Sequence, residues 1–142
     1  MIKTSNLEYI AKAVILATGN KKNKPKIPGI EKLEGKGISY CAICDGFFYR
    51  NKSVAVLGNG DYAISETNDL INIANDITIL TNGKKKPEFR ADNVTIDTRV
   101  IKKISGEKKV EQIEFEDGTR INVNGIFIAQ GVAGSTEFAK KL

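Results

Sequence analysis

Apolar positions form unbroken runs in the first half of the chain and short alternating stretches in the second. Ala13-Val14-Ile15-Leu16-Ala17-Thr18-Gly19 is continuous apolar chain closing on Thr-Gly, the pattern of a strand covered on both faces. Residues 52–57 and 76–81 repeat that pattern, and Gly125-Ile126-Phe127-Ile128-Ala129-Gln130-Gly131 echoes it once more. Between the second and third runs, Ala63, Ile64, Leu70, Ile71 and Ala74 recur at helical spacing, which predicts an amphipathic helix from Tyr62 to Ala74. Residues 2–10 alternate weakly, as a strand would. Residues 20–29, with Pro25, Pro28 and four lysines, read as an exposed crossover. Ile30 to Gly37 reads as a short helix or turn. From Asn93 the pattern is β: residues 94–96, 99–105, 110–116 and 119–123 are expected strands, and Asp117-Gly118 is a hairpin turn. Residues 135–142 read as the start of a helix.

The run 52–57 enters Gly58-Asn59-Gly60-Asp61-Tyr62-Ala63, which fits G-x-G-x-x-A. Strand, glycine turn, helix and strand within about 30 residues is the context of a dinucleotide-binding unit. Gly58 would permit the turn, Gly60 would let backbone approach a pyrophosphate, and Ala63 would let the helix pack closely. The helix N-terminus would present free N–H groups to the anion. The plainer alternative is a turn that only packs helix on strand.

Composition changes this picture at one point. The chain has 142 residues, no histidine and two cysteines, and both cysteines lie in Tyr40-Cys41-Ala42-Ile43-Cys44-Asp45-Gly46. A disulfide over so short a loop constrains the unfolded chain little, so a structural staple explains it poorly. A tetrahedral zinc site needs four ligands, and two thiols without a histidine do not supply them. A redox pair that cycles between dithiol and disulfide is the reading this spacing favours, with two inert thiols as the alternative. No metal is expected.

The net charge of +5 arises from lysine clusters at 21–26, 84–86 and 102–109. Few aromatics are interleaved with them, so nucleic acid is not an expected partner. Solvated loops account for these lysines, and only the middle cluster is placed for a phosphate. No apolar run approaches the about 20 residues of a membrane span. Lone C-x-x-C chemistry suits a reducing compartment, so a cytoplasmic protein is expected.

Together, Ala17-Thr18-Gly19, Cys41-Ala42-Ile43-Cys44-Asp45 and Gly58-Asn59-Gly60-Asp61-Tyr62-Ala63 resemble, in that order, the low-molecular-weight flavoprotein thioredoxin reductases. The redox pair lies upstream of the nucleotide turn and inside the nucleotide domain, which sets this family apart from glutathione-reductase-like relatives. The resemblance implies an α/β fold: a Rossmann-like three-layer nucleotide-binding domain with a parallel sheet and a β-meander, flanked by crossover strands of an FAD domain. It divides the chain into residues 1–22 (FAD-domain edge), 23–124 (inserted nucleotide domain) and 125–142 (return crossover). The family's flavin fingerprint and its Gly-Asp flavin motif lie outside these residues. The sequence therefore reads as a central piece, expected neither to hold FAD stoichiometrically nor to turn over by itself.

The same resemblance implies roles. Cys44 would face the flavin, Cys41 would exchange with thioredoxin, and Asp45 would be the acid–base group, although an Asx-turn before Gly46 also explains an aspartate there. Cofactor-binding positions would be Gly58, Asn59, Gly60, Asp61, Ala63, Thr81, Asn82 and Lys84, with Thr18 and Gly19 on the crossover strand. FAD and NADPH are the implied cofactors, thioredoxin the implied partner, and a homodimer the implied assembly.

The chain departs from the family at the 2′-phosphate site. NADPH-using members carry His-Arg-Arg after the second nucleotide strand; this chain has Leu80-Thr81-Asn82-Gly83 and then Lys84-Lys85-Lys86. Lysine can meet a phosphate but lacks arginine's fork. No acid stands ready for a ribose diol, which disfavours NADH. Asp61 would repel a pyrophosphate unless turned away, and Tyr62 would crowd it. A related group takes electrons from ferredoxin, and lysine clusters would suit an acidic ferredoxin.

Overall fold

The computed structural model describes residues 1–15, 17 and 21–133. Thr18, Gly19 and the helix expected over 135–142 lie outside the described residues. The chain divides into two compact units, one of Lys22–Gly131 and one that holds the described residues on either side of it. Among the described residues, no helix is long and apolar enough to cross a membrane.

In the flanking unit, β1 (Ile2–Lys3) and β2 (Glu8–Tyr9) pair antiparallel, closed by the Thr4 N–H to Leu7 carbonyl bond at 2.8 Å. The single strand expected over 2–10 is thus a small hairpin. The strand expected over 13–19 is corrected where it is described. Val14 is 56% exposed and Ile15 91% exposed, and neither lies in a strand. A strand covered on both faces needs a packed layer on each side, and no described residue forms one around Val14 or Ile15. Further on, β3 (Lys21–Lys22) pairs with the last described strand, β12 (Val132–Ala133).

The Lys22–Gly131 unit begins with a segment that is only partly the exposed crossover expected. Ile27 is buried in the core, and the Pro28 carbonyl accepts the Ile104 N–H at 2.9 Å. Gly29 enters α1 (Ile30–Leu33) at φ 101°, and an added Cβ would sit 1.9 Å from the Ile104 carbonyl oxygen, so only glycine fits. There follow β4 (Ile38–Ser39), α2 (Ala42–Asp45), a 3₁₀ turn (Gly46–Tyr49), β5 (Ser53–Leu57), α3 (Asp61–Leu70), β6 (Asp76–Leu80) and β7 (Val94–Asp97). The chain then makes β8 (Ile101–Ser105), β9 (Gln112–Phe115), β10 (Arg120–Asn122) and β11 (Gly125–Ile128).

Five strands form one parallel sheet in the order β4-β11-β5-β6-β7, and β8, β9 and β10 form an antiparallel meander. Alternation along each strand assigns the layers. Val54, Val56, Ile77 and Phe127 face the helical layer, packing with Ala42, Ala63, Leu70 and Ala74. Ala55, Leu57, Leu80, Ile126 and Ile128 face the meander, packing with Ile101, Ile104, Ile113 and Phe115. Both faces are covered, and this is why these strands read as unbroken apolar runs. The three-layer α/β fold expected from the sequence is the fold observed.

Two boundaries differ. Helix α3 ends at Leu70, four residues early, because Thr67-Asn68-Asp69 is weak helix and the Ile73 and Ala74 N–H groups turn back onto the Leu70 carbonyl. Ala74 still packs in the core. The expected break at residue 124 is corrected as well. Strand β11 lies inside the sheet between β4 and β5, and the unit runs to Gly131.

One ion pair braces the path from sheet to meander. The Arg99 side chain donates from Nε to Asp97 Oδ1 at 3.0 Å, and its guanidinium lies 4.0 Å over the Phe115 ring. The Arg99 hydrogen bond to Asp97 holds the aspartate below the usual carboxylate range, against the opposing effect of burial. A group depressed in the folded state stabilises above its unfolded pKa and loses that contribution as pH falls through the folded value. Asp97→Asn is therefore expected to cost roughly 1 kcal/mol near pH 7. That difference should vanish as acid denaturation is approached, and urea melts at pH 7 and pH 3 measure both.

Candidate active site

Parallel strands end on one edge of their sheet, so the turns after β4, β5, β6 and β11 gather there. This edge carries the cysteine pair after β4, the glycine turn after β5 and the lysine loop after β6.

Cys41 and Cys44 are joined as a disulfide, with Cα atoms 5.3 Å apart. Cys41 caps α2, and its Sγ accepts the Cys44 N–H at 3.2 Å. Ser39, buried at the end of β4, ties the segment down. Its hydroxyl accepts the Cys41 N–H at 3.1 Å and donates to Asp45 Oδ2 at 2.6 Å. Asp45 also closes the turn, its N–H meeting the Cys41 carbonyl at 3.1 Å. The carboxylate thus has a fixed orientation next to Cys44. Tyr49 follows with its hydroxyl pushed above the usual tyrosine range by burial and then by Asp45.

The surroundings of the disulfide are apolar and open. Cys41 is half-buried and Cys44 exposed, while Ile43 is 81% exposed and Phe47 and Phe48 are each 68% exposed. Three large apolar side chains in water beside an exposed sulfur make a contact surface rather than a core.

Helix α3 reaches the same segment from below. Tyr62 Oη donates to the Tyr40 carbonyl at 3.3 Å, and Glu66 Oε2 accepts the Ala42 N–H at 2.6 Å. Tyr62 therefore points toward the cysteine loop and does not crowd the glycine turn, contrary to the expectation from sequence.

The glycine turn is built for packing and for access. A Cβ on Gly58 would lie 2.3 Å from the Ala129 carbonyl oxygen and 2.9 Å from the Ala63 Cβ, so Gly58 serves the close approach of β5, β11 and α3. Its φ lies outside the left-handed region, so close contact, not turn geometry, requires glycine. Ala63 is fully buried, as expected for helix packing. Gly60 has nothing within 4 Å of an added Cβ and opens on a cavity of about 430 Å³ lined by Asn59, Asp61, Lys85, Lys86 and Glu88 among others. Asn59 Nδ2 donates to the Lys85 carbonyl at 3.4 Å, which brings the lysine loop to the turn.

Two residues expected at the nucleotide have other partners. Thr81 is buried and donates to the Lys84 carbonyl at 2.8 Å; Asn82, at φ 51°, accepts the Ile101 N–H at 2.8 Å. Both side chains hold the loop itself. Lys84 closes that turn, and it is Lys85 and Lys86 that line the cavity. Sequence reasoning missed Ser39 and Glu66. A charged residue on the buried face of α3, three positions after Ala63, was the available signal for Glu66.

The site thus combines a parallel nucleotide-type sheet with a reachable disulfide and a glycine turn at one edge of that sheet. The chain belongs to the pyridine nucleotide-disulphide oxidoreductase family, whose model matches residues 2–142. It is 35% identical to a thioredoxin reductase of Buchnera aphidicola subsp. Acyrthosiphon pisum (strain APS), across 96% of this chain and 50% of that protein. The crystal structure of Lactococcus lactis thioredoxin reductase (FR conformation) superimposes with a TM-score of 0.77 at 33% identity, across 97% of this chain and 50% of that one. A ferredoxin-flavin thioredoxin reductase from Clostridium acetobutylicum gives 0.67 at 29% identity, across 76% and 37%. The chain spans about half the length of the relatives it matches. The resemblance read from the motifs is therefore the relationship found.

Proposed function

We propose that this chain is the disulfide-carrying domain of a thioredoxin-disulfide reductase and that Cys41 and Cys44 pass an electron pair to thioredoxin. The observation that carries this reading is the exposed Cys41–Cys44 disulfide with Asp45 fixed beside it by Ser39. The unit Lys22–Gly131 would then be the nucleotide domain, and the flanking residues would belong to a flavin domain. FAD, when bound to the whole protein, supplies the electron pair to the disulfide.

In the dithiol state, the Cys41 thiolate attacks the disulfide of thioredoxin, forms a mixed disulfide and releases one thioredoxin thiolate. Cys44 then attacks the Cys41 sulfur, restores Cys41–Cys44 and frees the second thiolate. The dithiol loses two electrons and thioredoxin gains them. Asp45 takes the proton from the attacking Cys44 thiol and returns one to the leaving thiolate. Ile43, Phe47 and Phe48 offer the apolar ground on which thioredoxin would sit. A reducing cytoplasm suits such a pair.

The test uses this chain, reduced chemically and freed of reductant, mixed with oxidised thioredoxin. One disulfide is expected to move per chain, seen by acid quench and thiol alkylation; oxidised thioredoxin left unchanged sinks the reading.

For the donor, the residues at the glycine turn fit NADPH at two points. Gly60 leaves room for a pyrophosphate at the start of α3, a helix of ten residues, and Lys85 and Lys86 line the same cavity. Asp61 and Glu88 share that cavity and oppose an anion, which favours a ferredoxin donor as the second reading. NADPH is expected to bind in the micromolar range and move the amide signals of Gly60, Lys85 and Lys86. Lys85→Glu/Lys86→Glu should weaken it by about tenfold or more. Binding of neither NADPH nor NADH would overturn the nucleotide donor and make ferredoxin the next candidate to test.

A further inference from the structure

The backbone around Cys41 is held at three consecutive points by side chains, and two of these come from one helix. Tyr62 and Glu66 stand one turn apart on α3, so they share a face. Tyr62 donates to the carbonyl just before Cys41, and Glu66 accepts the N–H just after it. Ser39 takes the N–H of Cys41 itself. Glu66 is only 7% exposed, and it lies against the Tyr62 hydroxyl. A buried carboxylate is costly, and a helix that only packed would place an apolar residue there.

We propose that Tyr62 and Glu66 are positioning residues that set the reactivity of the Cys41–Cys44 pair, Glu66 by placing a buried negative charge at Ala42, the first of the two residues between the cysteines. The proposal rests on reading this pair as the redox centre. A carboxylate near a forming thiolate disfavours it, and by occupying the Ala42 N–H it denies the sulfur that donor. The dithiol therefore holds its protons to higher pH, and the pair is kept more reducing than the same loop without Glu66 would be. Among the described residues, the titratable groups tied to the cysteine segment are Asp45 on its own helix, held by Ser39, and Tyr62 and Glu66 on α3; Tyr49 in the following turn responds to Asp45, and Tyr40 has Lys24 and Glu34 behind it. Burial first and Glu66 second push the Tyr62 hydroxyl up, so Tyr62 stays a donor at physiological pH.

The experiment is the pH profile of iodoacetamide alkylation of the reduced chain, compared for wild type, Glu66→Gln, Glu66→Asp and Tyr62→Phe. Gln keeps the shape and an acceptor oxygen but removes the charge. It is expected to speed alkylation at pH 7 by about threefold or more, moving the midpoint down by roughly half a pH unit. Asp keeps the charge and is expected to stay near wild type. Tyr62→Phe removes the hydrogen bond to the Tyr40 carbonyl and leaves the Glu66 carboxylate in place, and is expected to move the midpoint by less than the Gln variant does. A Gln profile that overlays wild type overturns the proposal, and so does an Asp shift as large as the Gln shift, since both describe a purely structural residue. A wild-type disulfide that dithiothreitol cannot reduce in the folded chain fails the redox reading itself.

Discussion

A Cys44→Ser chain mixed with oxidised thioredoxin is expected to stop half-way, as a mixed disulfide between Cys41 and thioredoxin. With the resolving thiol gone, the second attack has no nucleophile, and turnover in the complete protein should fall by at least about a thousandfold, as for loss of a nucleophile that acts as part of a unit. Cys41→Ser should leave thioredoxin oxidised with no trapped species. This order rests on the roles that the family resemblance implies; Ser39 takes the Cys41 N–H, and Tyr62 and Glu66 hold the carbonyl before it and the N–H after it. Non-reducing electrophoresis and mass measurement distinguish the outcomes. Trapping through Cys44 in the Cys41→Ser chain would reverse the two roles.

Phe127→Ala is expected to cost about 3–5 kcal/mol of folding stability, the range for deleting a fully buried aromatic. Phe127 stands in the middle of the sheet, packs into the helical layer with Ala42 and Leu70, and meets the Tyr49 ring edge-on at 5.3 Å. The cavity would open directly beneath the segment that bears the disulfide. Urea denaturation of the oxidised chain measures the cost, and a loss under about 1 kcal/mol would mean that this layer repacks freely. Alkylation of the reduced variant should also rise, because the floor under α2 has been removed.

The parallel sheet was legible in the sequence because each of its buried strands, covered on both faces, is an unbroken apolar run. The run at 13–19 has the same composition, but composition does not say which layer will cover a strand, and Val14 and Ile15 lie exposed. Strand β11 was legible as a strand and not as a member of this sheet, since a parallel pairing joins residues about 70 positions apart, such as Gly125 with Val54, and no local pattern encodes that. At the site, Cys41, Cys44, Asp45 and the glycine turn were visible as motifs. Ser39 and Glu66 were not, because they hold the backbone of the cysteine segment and, for Ser39, the Asp45 carboxylate, and no motif marks a residue in that role. Thr81 and Asn82 were assigned to a ligand from their position after β6, while the fold uses their side chains to hold the loop.

The central claim is that Cys41–Cys44 is a working redox pair in the folded chain. An equilibrium titration of the wild-type chain in dithiothreitol buffers, read by thiol trapping and by circular dichroism on the same samples, tests it most directly. The account predicts one reversible two-electron transition near or slightly below the about −270 mV of thioredoxin, with secondary structure unchanged across it. Thiols that appear only as the fold is lost, or a midpoint near about −180 mV from which thioredoxin could not be reduced, would contradict it.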